Sequence, residues 1–292
     1  MRQFTAIVNP TAGGARGAAA LVPLGRTLRE GGATLEVAYS DDLDHARALA
    51  RQAAEAGRIV LAVGGDGMVG GVVGALAGTE AVAGLVPVGR GNDFARALSL
   101  PSEPDALAAL LLHGRPRSVD AIEVEAADGR AVTVLGSVYA GVDALANRHA
   151  NASRLPGSAA YYMGSLRAVA AWRPATYRLT LDGASHQRTG YTVVAANSGY
   201  YGFGRHVAPG AALDDGLLDV VVIHHAPRRL FFTVMNELKD GRQVGRPQYE
   251  VLRGREVRIE ADRRLDYGGD GELIAELPVT ARILPGALTL LA

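Results

Sequence analysis

Residues 59–67 read Ile-Val-Leu-Ala-Val-Gly-Gly-Asp-Gly, and this stretch decides the fold. Five consecutive apolar side chains, three of them β-branched, followed at once by a glycine turn, read as a strand buried on both faces. Such a strand belongs to a parallel sheet sandwiched between helices. The surrounding sequence repeats the pattern. Upstream, Phe4–Val8 and Thr34–Tyr39 read as strands. Between them Ala15–Glu30 reads as a helix interrupted by Pro23, and Asp42–Ala56 as a helix with an acidic start and Gly57 at its end. Downstream come a glycine-bearing helix over Val69–Ala77, a strand over Ala81–Val86 and short helices over Asp93–Leu98 and Pro104–Leu112. Alternating strands and helices predict a doubly wound α/β domain.

After Arg117 the rhythm changes. Val119–Glu125, Ala131–Val142, Tyr177–Leu181, Tyr191–Ala196, Leu217–Ile223, Val251–Glu260, Glu272–Leu277 and Val279–Leu284 are β-like runs parted by glycine, Asp and Asn turns. Helical patterns are confined to about Ala144–Asn151, Ala159–Ala171 and Arg228–Lys239. Short strands with frequent turn signals predict an antiparallel β-sandwich. The expected division is residues 1–118 as the α/β domain and 119–292 as the sandwich, with the last residues free to pack back on the first domain.

Composition narrows the chemistry. The chain has 292 residues, 48% hydrophobic and 21% charged, with 30 basic against 30 acidic side chains and no cysteine. A neutral chain has no global attraction for nucleic acid, so no nucleic-acid partner is expected. Without cysteine there is no disulfide, thiolate nucleophile or Cys-ligated metal. Lys239 is the only lysine, in Glu-Leu-Lys-Asp, so the lysine-bearing P-loop is excluded. No G-x-S-x-G elbow occurs, and the seven histidines show no H-E-x-x-H spacing. The longest purely apolar run, Ala106–Leu112, is far short of a membrane span, and the first residues do not make a signal peptide. The expectation is a cytoplasmic protein that touches a membrane only from the side, with exposed sandwich edges that suit a homodimer.

Three glycine-rich turns follow strands of the first domain: Asn9-Pro10-Thr11-Ala12-Gly13, Gly64-Gly65-Asp66-Gly67 and Gly89-Arg90-Gly91-Asn92-Asp93. In a parallel sheet the turns after strands share the carboxyl edge, where ligands bind. Glycine lets the backbone approach a ligand, and successive N–H groups at a helix start suit phosphate without lysine. Asp66 inside such a nest makes sense if it holds Mg²⁺, which neutralises the phosphates. Each turn alone also reads as an ordinary connection. A fourth cluster, Gly268-Gly269-Asp270-Gly271-Glu272, places two carboxylates two residues apart; in a strand they would share one face, and the other reading is a hairpin turn. Ala212-Leu213-Asp214-Asp215-Gly216-Leu217 offers carboxylates and free carbonyls to a hard cation, or is a solvated turn.

These motifs, in this order and over nearly the whole chain, resemble the diacylglycerol kinase catalytic-domain family, and within it the bacterial lipid kinases related to sphingosine kinases. The resemblance implies an NAD-kinase-like α/β domain, a β-sandwich, ATP as phosphoryl donor, Mg²⁺ and a lipid alcohol as acceptor. It implies that Asn9 to Gly13, Ser40, Gly64 to Gly70 (with Met68 and Val69), Arg90, Asn92 and Asp93 line the nucleotide. Asp66 would lie near the triphosphate and its Mg²⁺, Asp270 and Glu272 would fall in the motif supplying the base, and Ala212, Asp215 and Leu217 would hold a structural Mg²⁺. The chain departs from the family pattern at Met68, Gly70 and Gly71, where threonine and an Asn-Glu pair are usual, and at Arg90, which replaces a threonine. An NAD kinase and a nucleotide- or lipid-binding protein that has lost transfer are the competing readings.

Overall fold

The computed structural model describes residues 1–10, 15–152 and 158–292. The chain divides into two compact units: residues 1–121, 213–215 and 284–292 form the first, and residues 122–212 and 216–283 the second.

The first unit runs β1 (Gln3–Val8), α1 (Ala15–Glu30), β2 (Thr34–Tyr39), α2 (Leu43–Glu55), β3 (Ile59–Gly64), α3 (Asp66–Gly74), β4 (Val82–Pro87), α4 (Asp93–Ala97), α5 (Pro104–His113) and the start of β5 (Pro116–Ala126). Its sheet has the order β2-β1-β3-β4, all parallel, and is completed beside β4 by Thr289 and Leu290 from the end of β17 (Val279–Leu291). Registers are level at the carboxyl edge: Val8 pairs with both Tyr39 and Val63, Val63 with Val86, and Gly64 with Pro87. The core is Phe4, Ala6, Val8, Leu61, Val63 and Val86 of the sheet against Leu24 and Leu28 of α1 and Leu107 and Leu111 of α5.

Two local expectations change here. Pro23 does not interrupt α1, which continues through it. The face Leu21, Leu24 and Leu28 is buried at helical spacing, and that burial outweighs the backbone bond that proline removes. The helix after β3 begins at Asp66, not Val69, because Gly65 serves as its N-cap and an acid in the first turn meets the positive end of the helix dipole. Helix α2 begins as its sequence suggests: the Asp42 side chain accepts the His45 N–H at 2.8 Å.

The second unit contains the rest of β5, β6 (Ala131–Val134), β7 (Ser137–Gly141), α6 (Val142–Asn151), α7 (Ser158–Ala171), β8 (Ala175–Leu181), β9 (Ala184–Ala196), the short hairpin β10 (Tyr200–Tyr201) and β11 (Arg205–His206), β12 (Leu218–His224), α8 (Arg228–Glu237), β13 (Tyr249–Gly254), β14 (Glu256–Ala261), β15 (Asp266–Gly269), β16 (Glu272–Glu276) and the start of β17. The pairings are antiparallel, in the order β16-β15-β7-β9-β8-β14-β17, and β9 also pairs with β12, which pairs with β13. Val193, Ala195, Val220, Val222, Tyr177, Ile259 and Tyr267 form its core. The run Ala131–Val142 is broken at Leu135-Gly136, and Val142 already starts α6. The break has a cause: the N–H groups of Leu135, Gly136 and Ser137 are turned to a carboxylate on another strand pair.

Candidate functional site

In the first unit, Asn9, Ser40, Gly64-Gly65 and Val88-Gly89 leave neighbouring strands at one level edge, as the strand registers require. The second and third glycine turns touch through their backbones. A side-chain carbon on Gly89 would lie 2.3 Å from Gly65 Cα, so neither turn has room for another residue. Asn92 braces the third turn in a left-handed conformation (φ 51°): its Oδ1 accepts the Gly89 N–H at 2.9 Å, and its Nδ2 donates to the Gly89 carbonyl at 3.1 Å. Asp66 reaches across to it. Its Oδ1 accepts the Phe94 N–H at 3.3 Å, at the start of α4. Around Gly91, a side-chain carbon would find Asp66 Oδ2 at 2.7 Å and Asp93 Oδ2 at 3.4 Å, so two carboxylates converge on one glycine. Hard oxygens in this number fit Mg²⁺, which takes one or two carboxylates and leaves its other positions to water and phosphate.

The remaining residues of the nucleotide set divide by burial. Ser40 is buried and donates to the Val8 carbonyl at 3.4 Å. Met68 and Val69 are buried in the first unit, so only their main chain can face a ligand. Asn9 is half-buried, Gly67 and Gly70 are partly exposed, and Pro10 and Arg90 are exposed. Thr11, Ala12 and Gly13 lie outside the described residues. Gly71 has a packing reason: a side-chain carbon there would fall 2.2 Å from Leu43 Cδ1, so α2 and α3 approach too closely for the larger residue.

In the second unit, Asp270 and Gly271 are the two central residues of the turn between β15 and β16, both with positive φ (47° and 90°), and Gly269 pairs with Glu272 across it. This is the hairpin that Asp-Gly favours. Asp270 is therefore not a strand residue, and the expectation of one shared face with Glu272 does not apply. Its carboxylate accepts N–H groups from Leu135 at 2.7 Å, Gly136 at 2.8 Å and Ser137 at 3.2 Å. Glu272 is exposed at the start of β16. One residue with no sequence signal holds the same turn: Asn147 on α6 donates Nδ2–H to the Gly271 carbonyl at 2.5 Å and to the Tyr139 hydroxyl at 2.8 Å. Asn147 is 124 residues from Gly271, so no spacing rule could have found it.

The acidic loop is built mainly by turns. Gly216 takes φ 69°, Asp214 pairs with Arg117 at 2.8 Å, and the Leu213 carbonyl accepts the Asp120 N–H at 2.7 Å. Asp215 is exposed, and Ala212 and Leu217 are partly buried. Among the described residues no three His, Asp or Glu side chains cluster for a metal, so a cation here would rely on carbonyls as well. Val138, Tyr139 and Val142 belong to the core of the second unit, whereas Phe203 is exposed. Arg148 is engaged by Asp266, and Arg205 donates to the Gly202 carbonyl at 3.2 Å.

The diacylglycerol kinase catalytic domain profile matches residues 3–124, and the YegS C-terminal NAD kinase beta sandwich-like domain matches residues 136–292. A diacylglycerol kinase of Mycobacterium tuberculosis is 31% identical over 294 residues, covering 99% of this chain and 94% of the relative. The chain belongs to the diacylglycerol kinase family. A YegS-like probable lipid kinase of Chromohalobacter salexigens is 32% identical over 272 residues, covering 91% of this chain and 86% of that protein. A diacylglycerol kinase structure from Bacillus anthracis str. Sterne superimposes with a TM-score of 0.72 at 20% identity, covering 99% and 96% of the two chains, and supports the fold. As a member of this family the chain is a kinase with an α/β unit and a sandwich-like unit. No described helix is long and apolar enough to cross a membrane.

Proposed function

We propose that this lipid kinase transfers the γ-phosphoryl group of ATP, with Mg²⁺, to the hydroxyl of a diacylglycerol or sphingoid-type lipid. The observation that carries the reading is the backbone contact of Gly65 and Gly89 with Asp66 and Asp93 converging beside it. Residues 1–118, with the end of β17 packed back beside them, form the nucleotide half, and the rest of residues 119–292 the acceptor half. The edge that runs from Asn9, past Ser40, to Gly64–Gly70 and Arg90–Asp93 receives the nucleotide mainly through main-chain N–H groups, and Thr11, Ala12 and Gly13 belong to the same proposed set. Arg90, exposed at its turn, pairs with a phosphate in a fork that the usual threonine lacks. Mg²⁺ would supply charge neutralisation at the phosphates, and Asp66 and Asp93 would hold it. Asp215, with Ala212 and Leu217, would hold a second, structural Mg²⁺.

Glu272 accepts the proton as the lipid hydroxyl attacks the γ-phosphorus, the Pγ–O bond to ADP breaks, and ADP leaves. Glu272 suits this better than Asp270, whose two oxygens are already committed to three N–H donors. The enzyme is cytoplasmic and visits the membrane for its substrate. The test is transfer from γ-labelled ATP to a total lipid extract, with NAD offered in parallel. One lipid species should carry the label, and Asp66→Asn and Glu272→Gln should each lower turnover about 100-fold or more. Label on NAD alone, no label on any acceptor, or full turnover in both variants would overturn the assignment.

A further inference from the structure

The sequence has five phenylalanines. Phe4 and Phe94 are buried, but Phe203 and Phe232 are 47% and 46% exposed. Phe232 lies on α8, whose inward face is Val234 and Leu238, both buried. Arg228 and Arg229 precede Phe232 by four and three residues, so at helical spacing they flank it on the outward face, and all three are exposed. The two arginines occupy the first turn, where the helix dipole disfavours cations, and that turn holds no acid. Among the described residues neither arginine has an ion-pair partner to offset this.

The charge is local. From Arg228 to Arg246 there are five cations and two acids, in a chain with no net charge. Both acids are taken: Glu237 pairs with Arg246, and Asp240 with Arg242 at 2.7 Å. Arg228, Arg229 and Lys239, the only lysine, remain unbalanced. Further apolar groups border this segment. Phe203 sits at the tip of the β10–β11 hairpin at φ 68°, a conformation that bulky side chains rarely adopt. The hairpin is tied to the end of α8, since the His206 N–H donates to the Leu238 carbonyl at 2.5 Å. Gln243 Nε2 donates to the His206 carbonyl at 2.7 Å, and the next residue, Val244, is 58% exposed.

We propose that α8, with the Phe203 and Val244 turns beside it, is a docking face for an anionic lipid bilayer. Aromatic and aliphatic groups enter the headgroup boundary, and arginines at its rim meet anionic headgroups. The charge chooses this partner over a neutral apolar one, and the anionic surface offsets the cations at the start of α8. The proposal rests on the lipid-kinase reading only for why a bilayer is visited.

The experiment is sedimentation of the full chain with vesicles of phosphatidylcholine alone or mixed with phosphatidylglycerol. The wild type should bind the mixed vesicles and lose them as salt rises. The pair Arg228→Ala and Arg229→Ala should weaken binding about 30-fold, at roughly the attraction expected of each basic residue near such a surface. Phe232→Ser should weaken it about tenfold. Both variants should melt like the wild type, because the three side chains are exposed. Equal binding to neutral vesicles, unchanged binding by the variants, or no binding by the wild type overturns the proposal. Transfer to a detergent-dispersed acceptor separates the two readings: vesicle binding that fails with transfer intact sinks the docking face alone, and transfer that fails with vesicle binding intact sinks the kinase reading alone.

Discussion

Replacing Asp270 by asparagine isolates the work of one carboxylate. Asparagine tolerates left-handed φ, so the backbone at 47° is not the source of any change. The wild-type side chain accepts one N–H on Oδ2, from Leu135, and two on Oδ1, from Gly136 and Ser137. In asparagine one oxygen becomes an NH₂ group. If Oδ1 keeps its two donors, the amide NH₂ faces the Leu135 N–H, donor against donor. One charge-assisted bond is lost, about 1.5–3 kcal/mol, and the two that remain accept onto a neutral group and weaken. A total of about 3 kcal/mol follows, which for a unit of this size lowers melting by roughly 6–12 °C. Calorimetry on wild type, Asp270→Asn and Glu272→Gln reads it directly. Glu272→Gln should melt with the wild type, because Glu272 is exposed. If Asp270→Asn kept full stability while transfer vanished, the carboxylate would be a chemical group and not a structural one, and the reasoning would fail.

Two other perturbations follow from the packing. Gly89→Ala puts a methyl group 2.3 Å from Gly65 Cα and 2.8 Å from Asn92 Oδ1, and the first of these is backbone that cannot rotate away. The turns must part by about 1 Å, enough to cost roughly 100-fold in transfer and about 1–3 kcal/mol in stability; nucleotide titration with unchanged affinity and turnover would contradict this. In the second unit Glu250 sits between Arg188, with two bonds of 2.7 Å, and His224 Nε2 at 2.7 Å. The Arg188 hydrogen bonds, followed by that of His224, pull its carboxyl down to about 2 against the opposing effect of burial. A lowered folded value means that this stability is complete above the ordinary carboxyl value of 4.5 and drains away as pH falls towards about 2. The stability gap between wild type and Arg188→Gln should therefore shrink across that acid range in denaturant titrations, and a constant gap would count against the pairing.

The sheet edge was legible because parallel strands expose all their exits on one side, so glycines far apart in sequence had to be neighbours there. The Asp-Gly hairpin was legible as one of two readings, since a turn and a strand entry share the same letters until φ is known. Pro23 misled because local preference ignores the buried leucines on either side of it. The run over 131–142 misled because its break is caused by Asp270, more than a hundred residues away. Asn147 was invisible for the same reason: a long-range hydrogen bond leaves no periodicity.

The last strand has a consequence for synthesis. Thr289 and Leu290 complete the sheet beside β4, so that strand's outer ladder waits for these two distant residues to be made. At about 5–20 residues per second, the roughly 200 residues between them leave the nascent edge uncovered for some 10–40 s on the ribosome. Throughout that interval an uncapped parallel strand is open to mispairing with other emerging polypeptides, so the yield of folded enzyme should respond to chaperone supply and to translation speed over the second half of the message.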